Sequence, residues 1–295
     1  MLQRKTRTMY STPWMSDIVV GTMRWGAWGA NFSTAQYEQM IEASFELGFT
    51  TFDHADIYGD HTTEADFGAA LKLHSGWREQ MEIVTKCGIL RVCDNKPAYR
   101  HKAYDSSLEH ILKSVDDSLK ALSTDYIDVL LLHRPDLLMD VDEVGEAFEL
   151  LHSSGKVTSF GVSNFSASQV NMLQKTVPIG CHQLEVSIKR LDAFNDGTLD
   201  QCISDGIVPM AWSPLGGGSL PESVDVILEE LSKEFDTTPH VIALSWLMKH
   251  SAGILPIVGT TNQDHLSNAK RALSIALNRE QWYQVYQAAT GTILP

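Results

Sequence analysis

Eight short apolar runs, each followed by a longer amphipathic stretch, recur along almost the whole chain, and this alternation constrains the fold more than any single residue. The runs fall at residues 17–21, 49–52, 81–85, 127–132, 156–162, 181–187, 207–212 and 254–258. Short runs rich in Val, Ile and Phe suit strands buried on both faces, and helix-length spacers let successive strands lie parallel. The spacers read as helices in their own right. Ser33 can cap one, with Gln36 as the reciprocal partner of a capping box. Tyr37, Met40, Ile41, Ser44 and Phe45 then share a face, and Gly48 stands where a left-handed residue ends the helix. Similar stretches cover 105–122, 142–152, 166–175 and 238–250. Residues 222–235 read as an extra helix after the seventh strand, and 279–289 as a tail helix.

Eight such pairs with short links close most simply into an α/β (β/α)8 TIM barrel, here with an N-terminal extension, the extra helix and the C-terminal tail helix. A doubly wound open sheet would carry a Gly-x-Gly-x-x-Gly turn after an early strand. The first strand instead runs into Gly21-Thr22-Met23-Arg24-Trp25-Gly26. A length of 295 residues suits one barrel, and with no linker or low-complexity tract the whole of 1–295 is expected to be one domain. The net charge of −14 disfavours a nucleic-acid partner, which needs a basic face to displace counterions. No segment approaches the ~20 apolar residues of a membrane span, and residues 1–14 are basic without the apolar stretch of a signal peptide. No membrane partner and a cytoplasmic location are expected. Cys87, Cys93, Cys181 and Cys202 lack the close spacing of zinc ligands and read as reduced thiols. The oligomeric state is left open.

In a parallel barrel the residues that follow each strand meet at one mouth. Here they are Asp53, Lys86, His133, Ser163 with Asn164, Gln183, and Trp212-Ser213-Pro214, with Tyr58 a few residues beyond Asp53. Each has an ordinary reading taken singly: a turn aspartate, a solvated lysine, a rim histidine, a loop aromatic. An acid, a base, a phenol and an imidazole at the same end of one barrel have a joint one. A free phenol has a pKa near ~10. A neighbouring ammonium stabilises its phenolate, and a carboxylate holds that ammonium charged and oriented. Such a phenol can protonate a carbonyl oxygen as hydride reaches the carbon, and a histidine can bond the same oxygen.

Asp53-His54-Ala55-Asp56-Ile57-Tyr58-Gly59, Thr85-Lys86-Cys87-Gly88, Leu131-Leu132-His133-Arg134-Pro135-Asp136, Phe160-Gly161-Val162-Ser163-Asn164-Phe165 and Ala211-Trp212-Ser213-Pro214-Leu215-Gly216 resemble, in order, the motifs of the aldo-keto reductases. The likeness is to that family's bacterial oxidoreductase branch and spans about residues 20–269. It implies an oxidoreductase that reduces an aldehyde or ketone, its small-molecule carbonyl substrate. Tyr58 is the implied proton donor, tuned by Asp53 and Lys86, and His133 orients the carbonyl. The implied cofactor contacts are Thr22, Met23 and Asp53, then Ser163, Asn164 and Gln183 at the carboxamide, Trp212 on the nicotinamide, and Ser213, Pro214, Leu215 and Gly216 along the pyrophosphate. Thr260, Thr261, His265 and Asn268 stand at the adenosine end.

That end departs from the pattern. Where relatives place lysine and arginine on the 2′-phosphate of NADP, this chain has Asn262 and His265. NADP(H) is favoured on the resemblance, with NAD(H) possible. Trp25 and Trp28, and Leu137, Leu138 and Met139, could wall an apolar pocket or simply pack under loops. Two other readings stand beside the reductase. One is a cofactor-sensing interaction protein similar to potassium-channel β-subunits. The other is a metal-dependent hydrolase built on Asp53-His54-Ala55-Asp56 and His61, against which the Lys86 charge would count.

Overall fold

The computed structural model describes residues 13–218 and 220–294, so most of the expected N-terminal extension lies outside the described residues. The chain runs β1 (Val19–Gly21), α1 (Thr34–Glu46), β2 (Thr51–Asp53), α2 (Thr63–Leu71), β3 (Glu82–Cys87), β4 (Ile89–Leu90), β5 (Ala103–Tyr104), α3 (Leu108–Leu122), β6 (Ile127–Leu132) and α4 (Val141–Ser153). It continues through β7 (Val157–Ser163), α5 (Ala167–Leu173), β8 (Cys181–Glu185), α6 (Thr198–Asp205), β9 (Val208–Trp212), α7 (Glu222–Glu234), α8 (Pro239–Met248), β10 (Leu255–Val258), α9 (Gln263–Arg271) and α10 (Arg279–Thr290). Strands β1, β2, β3, β6, β7, β8, β9 and β10 close into a barrel in that order, and every neighbouring pair is parallel. The eight apolar runs are the eight staves.

Strand alternation divides the core as the pleat requires. Val19, Val84, Val129, Leu131, Cys181, Met210 and Ile257 form one buried cluster. Their neighbours along the strands, such as Val20, Phe52 and Ile83, pack in a second cluster with α1, α2 and α8 through Tyr37, Ile41, Phe67 and Leu244. Leu130, Leu132 and Val162 likewise join Val115, Val144 and Phe148 of α3 and α4. The capping box at Ser33 and Gln36 forms, and α1 buries Tyr37, Met40, Ile41 and Ser44.

Two glycines are fixed by close approach. A Cβ on Gly161 would stand 2.3 Å from the Cys181 carbonyl oxygen, and one on Gly68 only 2.1 Å from that of Ala121. The first lets β7 meet β8, and the second lets α2 lie against the end of α3.

The helices α2 and α6 and the antiparallel hairpin of β4 and β5 were not expected. α2 carries Gly68 in its middle, and its buried face mixes Thr63 and Glu64 with Phe67 and Leu71, which blurs the apolar period. α6 is short and begins after the left-handed Gly197. The hairpin strands have two residues each, too few for an alternation to register.

Candidate active site

Strand register carries the reactive side chains to one end of the barrel. Gly21 lies opposite Asp53, Asp53 opposite Val84, Lys86 opposite Leu131, Ser163 opposite Gln183 and Glu185 opposite Trp212. His133 follows β6 directly, its N–H held 2.8 Å from the Cys87 carbonyl oxygen. Tyr58 stands in the turn after β2, donating its backbone N–H to Ala55 O.

At the centre is Lys86, whose side chain is sealed from solvent. Its ammonium donates to both Asp53 carboxylate oxygens at 2.8 Å and to the His54 carbonyl at 2.6 Å, and it lies 3.1 Å from the Tyr58 hydroxyl. A charge buried so deeply persists only when paired and bonded on this scale. Burial opposes that charge, but Asp53 and Tyr58 outweigh it and hold the Lys86 pKa above its ordinary value.

Tyr58 corrects the simple form of the sequence argument. Burial raises its pKa more than the Lys86 ammonium lowers it, so the phenol titrates above its usual range. It is therefore protonated at neutral pH, and Lys86 reduces the cost of releasing that proton from where burial alone would set it. His133 faces it, ring centroids 6.1 Å apart and nearly perpendicular. Burial first, then the charges of Lys86, Arg134 and Lys102, hold the His133 pKa well below its ordinary value. The imidazole is neutral, and its Nδ1 has no hydrogen-bond partner among the described residues.

Around the tetrad, the expected roles divide. Gln183, expected at the nicotinamide carboxamide, donates its amide N–H to Asp53 Oδ1 at 2.7 Å, so in this arrangement it braces that carboxylate. Thr22 is fully buried and gives its hydroxyl proton to the Asp53 carbonyl at 2.9 Å. The same hydroxyl oxygen lies 2.9 Å from His54 Nδ1. Burial, then Lys86, pushes the His54 pKa down to about 3, so it too is neutral. Met23 is exposed at the end of β1. Behind Lys86, Thr85 donates to the buried Glu64 at 2.6 Å, a support that no sequence signal beyond its place after Tyr58 announced.

The far side of the mouth is built from the ends of β7 and β9. Asn164 donates to Ser163 Oγ at 2.7 Å and accepts from the Trp212 indole N–H at 3.0 Å, which fixes the plane of a half-buried ring. Asn164 and Ser213 both have positive φ, as do Gly216, Gly217 and Gly218. At Gly217 and Gly218 nothing lies within 4 Å of where a Cβ would stand. Such an open, side-chain-free backbone is what a phosphate can approach. Pro214, Leu215 and Gly216 lead into it from Trp212.

At the end of β10, Asn262 caps α9 by accepting from Asp264 N–H at 2.8 Å, and Thr260 Oγ1 lies 3.2 Å from His265 Nδ1. Thr261 and His265 are exposed, and Asn268 is half-buried on α9. The cations of this helix, Lys270 and Arg271, lie in its last turn, and Arg271 donates to the Asp236 carbonyl. The expected apolar walls also separate. Trp25 is wholly buried among Tyr37, Phe52 and Phe67, whereas the Trp28 ring lies 6.1 Å from the Tyr58 ring and carries the Arg91 guanidinium over it at 4.4 Å. Met139 packs on the core, while Leu137 and Leu138 are about nine-tenths exposed (91% and 90%).

Among the described residues no group of three or more His, Cys, Asp or Glu is arranged to hold a metal ion, and no helix is long and apolar enough to cross a membrane.

Comparison with known proteins gives a consistent pattern. The model of the aldo/keto reductase family matches residues 17–289. The uncharacterized oxidoreductase YcsN of Bacillus subtilis is 44% identical over 95% of this chain and 96% of its own. A 6-dehydroglucose reductase of Agrobacterium fabrum is 40% identical over 94% and 95%, and the oxidoreductase YdhF of Escherichia coli 40% over 96% of each. An aldo/keto reductase of Klebsiella pneumoniae, solved in complex with NADP and acetate, superposes with a TM-score of 0.77 at 25% identity, covering 92% of this chain and 90% of that one.

Proposed function

The chain belongs to the aldo/keto reductase family, and on that premise we propose that it reduces an aldehyde or ketone to the alcohol with a nicotinamide cofactor, Tyr58 giving the proton. The observation that carries this reading is the placement of one sealed ammonium, Lys86, within 3.1 Å of the Tyr58 hydroxyl and 2.8 Å of both Asp53 oxygens.

When bound, the reduced nicotinamide supplies hydride to the carbonyl carbon. The protein's share is the proton and the charge. Tyr58 donates its hydroxyl hydrogen to the carbonyl oxygen, and the phenolate left behind is stabilised by Lys86, itself held charged by Asp53. Gln183 holds the Asp53 carboxylate and Thr22 its main-chain carbonyl. His133, neutral and facing Tyr58 at 6.1 Å between ring centroids, can bond the same carbonyl oxygen and hold it over Tyr58.

The loops at the ends of β7, β9 and β10 fit a dinucleotide. Trp212, held flat by Asn164, suits a nicotinamide face, with Ser163 and Asn164 at the carboxamide and Met23 at the rim. The open glycine run after Ser213 suits the pyrophosphate, and Thr260, Thr261, His265 and Asn268 the adenosine end. NADP(H) is the favoured cofactor, as in the Klebsiella neighbour. The first turn of α9 has no lysine or arginine, so one charge-assisted bond to a 2′-phosphate, worth about 1.5–3 kcal/mol, is missing and NAD(H) is usable. We read the chain as one domain acting on a small-molecule substrate.

The test follows loss of reduced nicotinamide over a panel of aldehydes and ketones. Turnover is expected with both cofactors, their kcat/KM values within about tenfold of each other for want of that bond, and unchanged by a metal chelator. No turnover with any carbonyl, or turnover abolished by chelator and restored by zinc, would overturn the reading.

A further inference from the structure

Two cations, Arg134 next to His133 in the chain and Lys102 just before β5, have no acid within ion-pair distance among the described residues. β3 ends in consecutive carbonyls that anchor two neighbouring segments. Cys87 O accepts from His133 N–H at 2.8 Å, and Gly88 O from Asp105 N–H at 3.0 Å. Arg134 follows the first of these anchored residues, and Lys102 leads into the second through β5. The Arg134 guanidinium is half-buried and sits 5.6 Å from the centre of the Trp212 ring, across the mouth from β3. Both cations act on the His133 imidazole, and Arg134 acts on Tyr58 as well.

No acid among the described residues neutralises either of them at the mouth. Arg91, the other guanidinium near Tyr58, is spent on Asp60 at 2.6 Å and on Trp28. Among the described residues neither Arg134 nor Lys102 has a carboxylate within ion-pair distance, in a chain where Asp and Glu number 37 against 23 Lys and Arg. Shielding an unpaired guanidinium from water is costly, and its forked N–H groups are all donors. Donors without an acid to meet them are complementary to a ligand rich in acceptor oxygens.

We propose that Arg134 and Lys102 form a donor wall that selects carbonyl substrates bearing acceptor oxygens, as a carboxylate or as hydroxyls, close to the reacting carbonyl. This rests on the carbonyl-reduction reading and adds the substrate class to it. Trp212 and His133 flank the carbonyl end, and Arg134, next to His133 in the chain and 5.6 Å from the Trp212 ring, is placed to reach the substituent next to it.

The experiment compares carbonyls matched in carbon number: succinic semialdehyde against butanal, and glyceraldehyde against propanal. The measured quantity is the ratio of kcat/KM, oxygenated over plain. In the unaltered protein the ratio is expected to be about tenfold to a hundredfold for at least one pair, the loss expected when charge-assisted hydrogen bonds go unmade. Arg134→Ala combined with Lys102→Ala is expected to bring it to near one, whatever the absolute rates do. If the double variant does not fold, Lys102→Ala alone, at an exposed position, must still lower the ratio. A preference for the carboxylate that collapses in about 0.5 M salt assigns the wall to anions, and one that survives assigns it to hydroxyls. A ratio of one in the unaltered protein, or one that the substitutions leave intact, overturns the inference alone. Absence of all nicotinamide oxidation removes the carbonyl-reduction reading and this inference with it.

Discussion

At the scale of single residues, two opposing effects on Tyr58 decide whether its proton is held or released. Burial raises its pKa and keeps the proton on the phenol in the resting protein, while Lys86 pulls the other way. Removing the ammonium therefore has a definite sign. Lys86→Met is expected to lower kcat by about 10²–10⁴, the range for a disabled acid catalyst. The residual rate should persist to higher pH than in the unaltered protein, because the phenol is then harder to ionise. The pH profile of kcat/KM for reduction checks this, and a basic limb unmoved by the substitution would contradict it. The tetrad was legible in the sequence because Asp53, Lys86 and His133 each follow an apolar run directly. The role of Gln183 was not. Nothing in its position within β8 distinguishes bonding to a ligand from bonding to Asp53 Oδ1 on the far side of the barrel. Arg134 was visible only as part of a motif, since half-burial without an acid partner is a property of three dimensions.

At the scale of elements, Gly68 sets propensity against packing. Glycine in mid-helix costs about 1 kcal/mol relative to alanine, so Gly68→Ala would stabilise an isolated α2. The added Cβ would meet the Ala121 carbonyl oxygen at 2.1 Å and the Leu122 backbone at 2.8 Å, where neither atom belongs to a flexible side chain. Overpacking of this kind costs about 1–3 kcal/mol and more against backbone, so a net loss of about 1–2 kcal/mol is expected in urea unfolding. A more stable variant would show that α2 is free to move away from α3. The same geometry explains what was readable. All eight staves showed as apolar runs because strands buried on two faces need no alternation to be seen. α2 did not, because a helix that buries Thr63 and Glu64 and needs a glycine at its contact hides its own period.

At the scale of the whole molecule, buried neutral imidazoles couple stability to pH. His182, on β8, is sealed from solvent, and burial pushes its pKa down to about 4. The unfolded chain takes up that proton below about pH 6.5 and the folded one does not until near 4, so between those values folding loses about 1.4 kcal/mol per pH unit through this residue. His182→Leu is expected to remove that share of the slope in unfolding curves between pH 6.5 and 4, and identical slopes would refute the burial argument. The barrel's larger task is to bring Asp53, Tyr58, Lys86 and His133, from three separate stretches of chain, into hydrogen-bonding and ring contact. Whether that assembly makes position 58 the proton donor is tested most directly by Tyr58→Phe, measuring nicotinamide binding and aldehyde reduction on the same preparation. Binding within about twofold of the unaltered protein, with turnover down by about 10²–10⁴, is the predicted result. Turnover that survives the loss of the hydroxyl would contradict it.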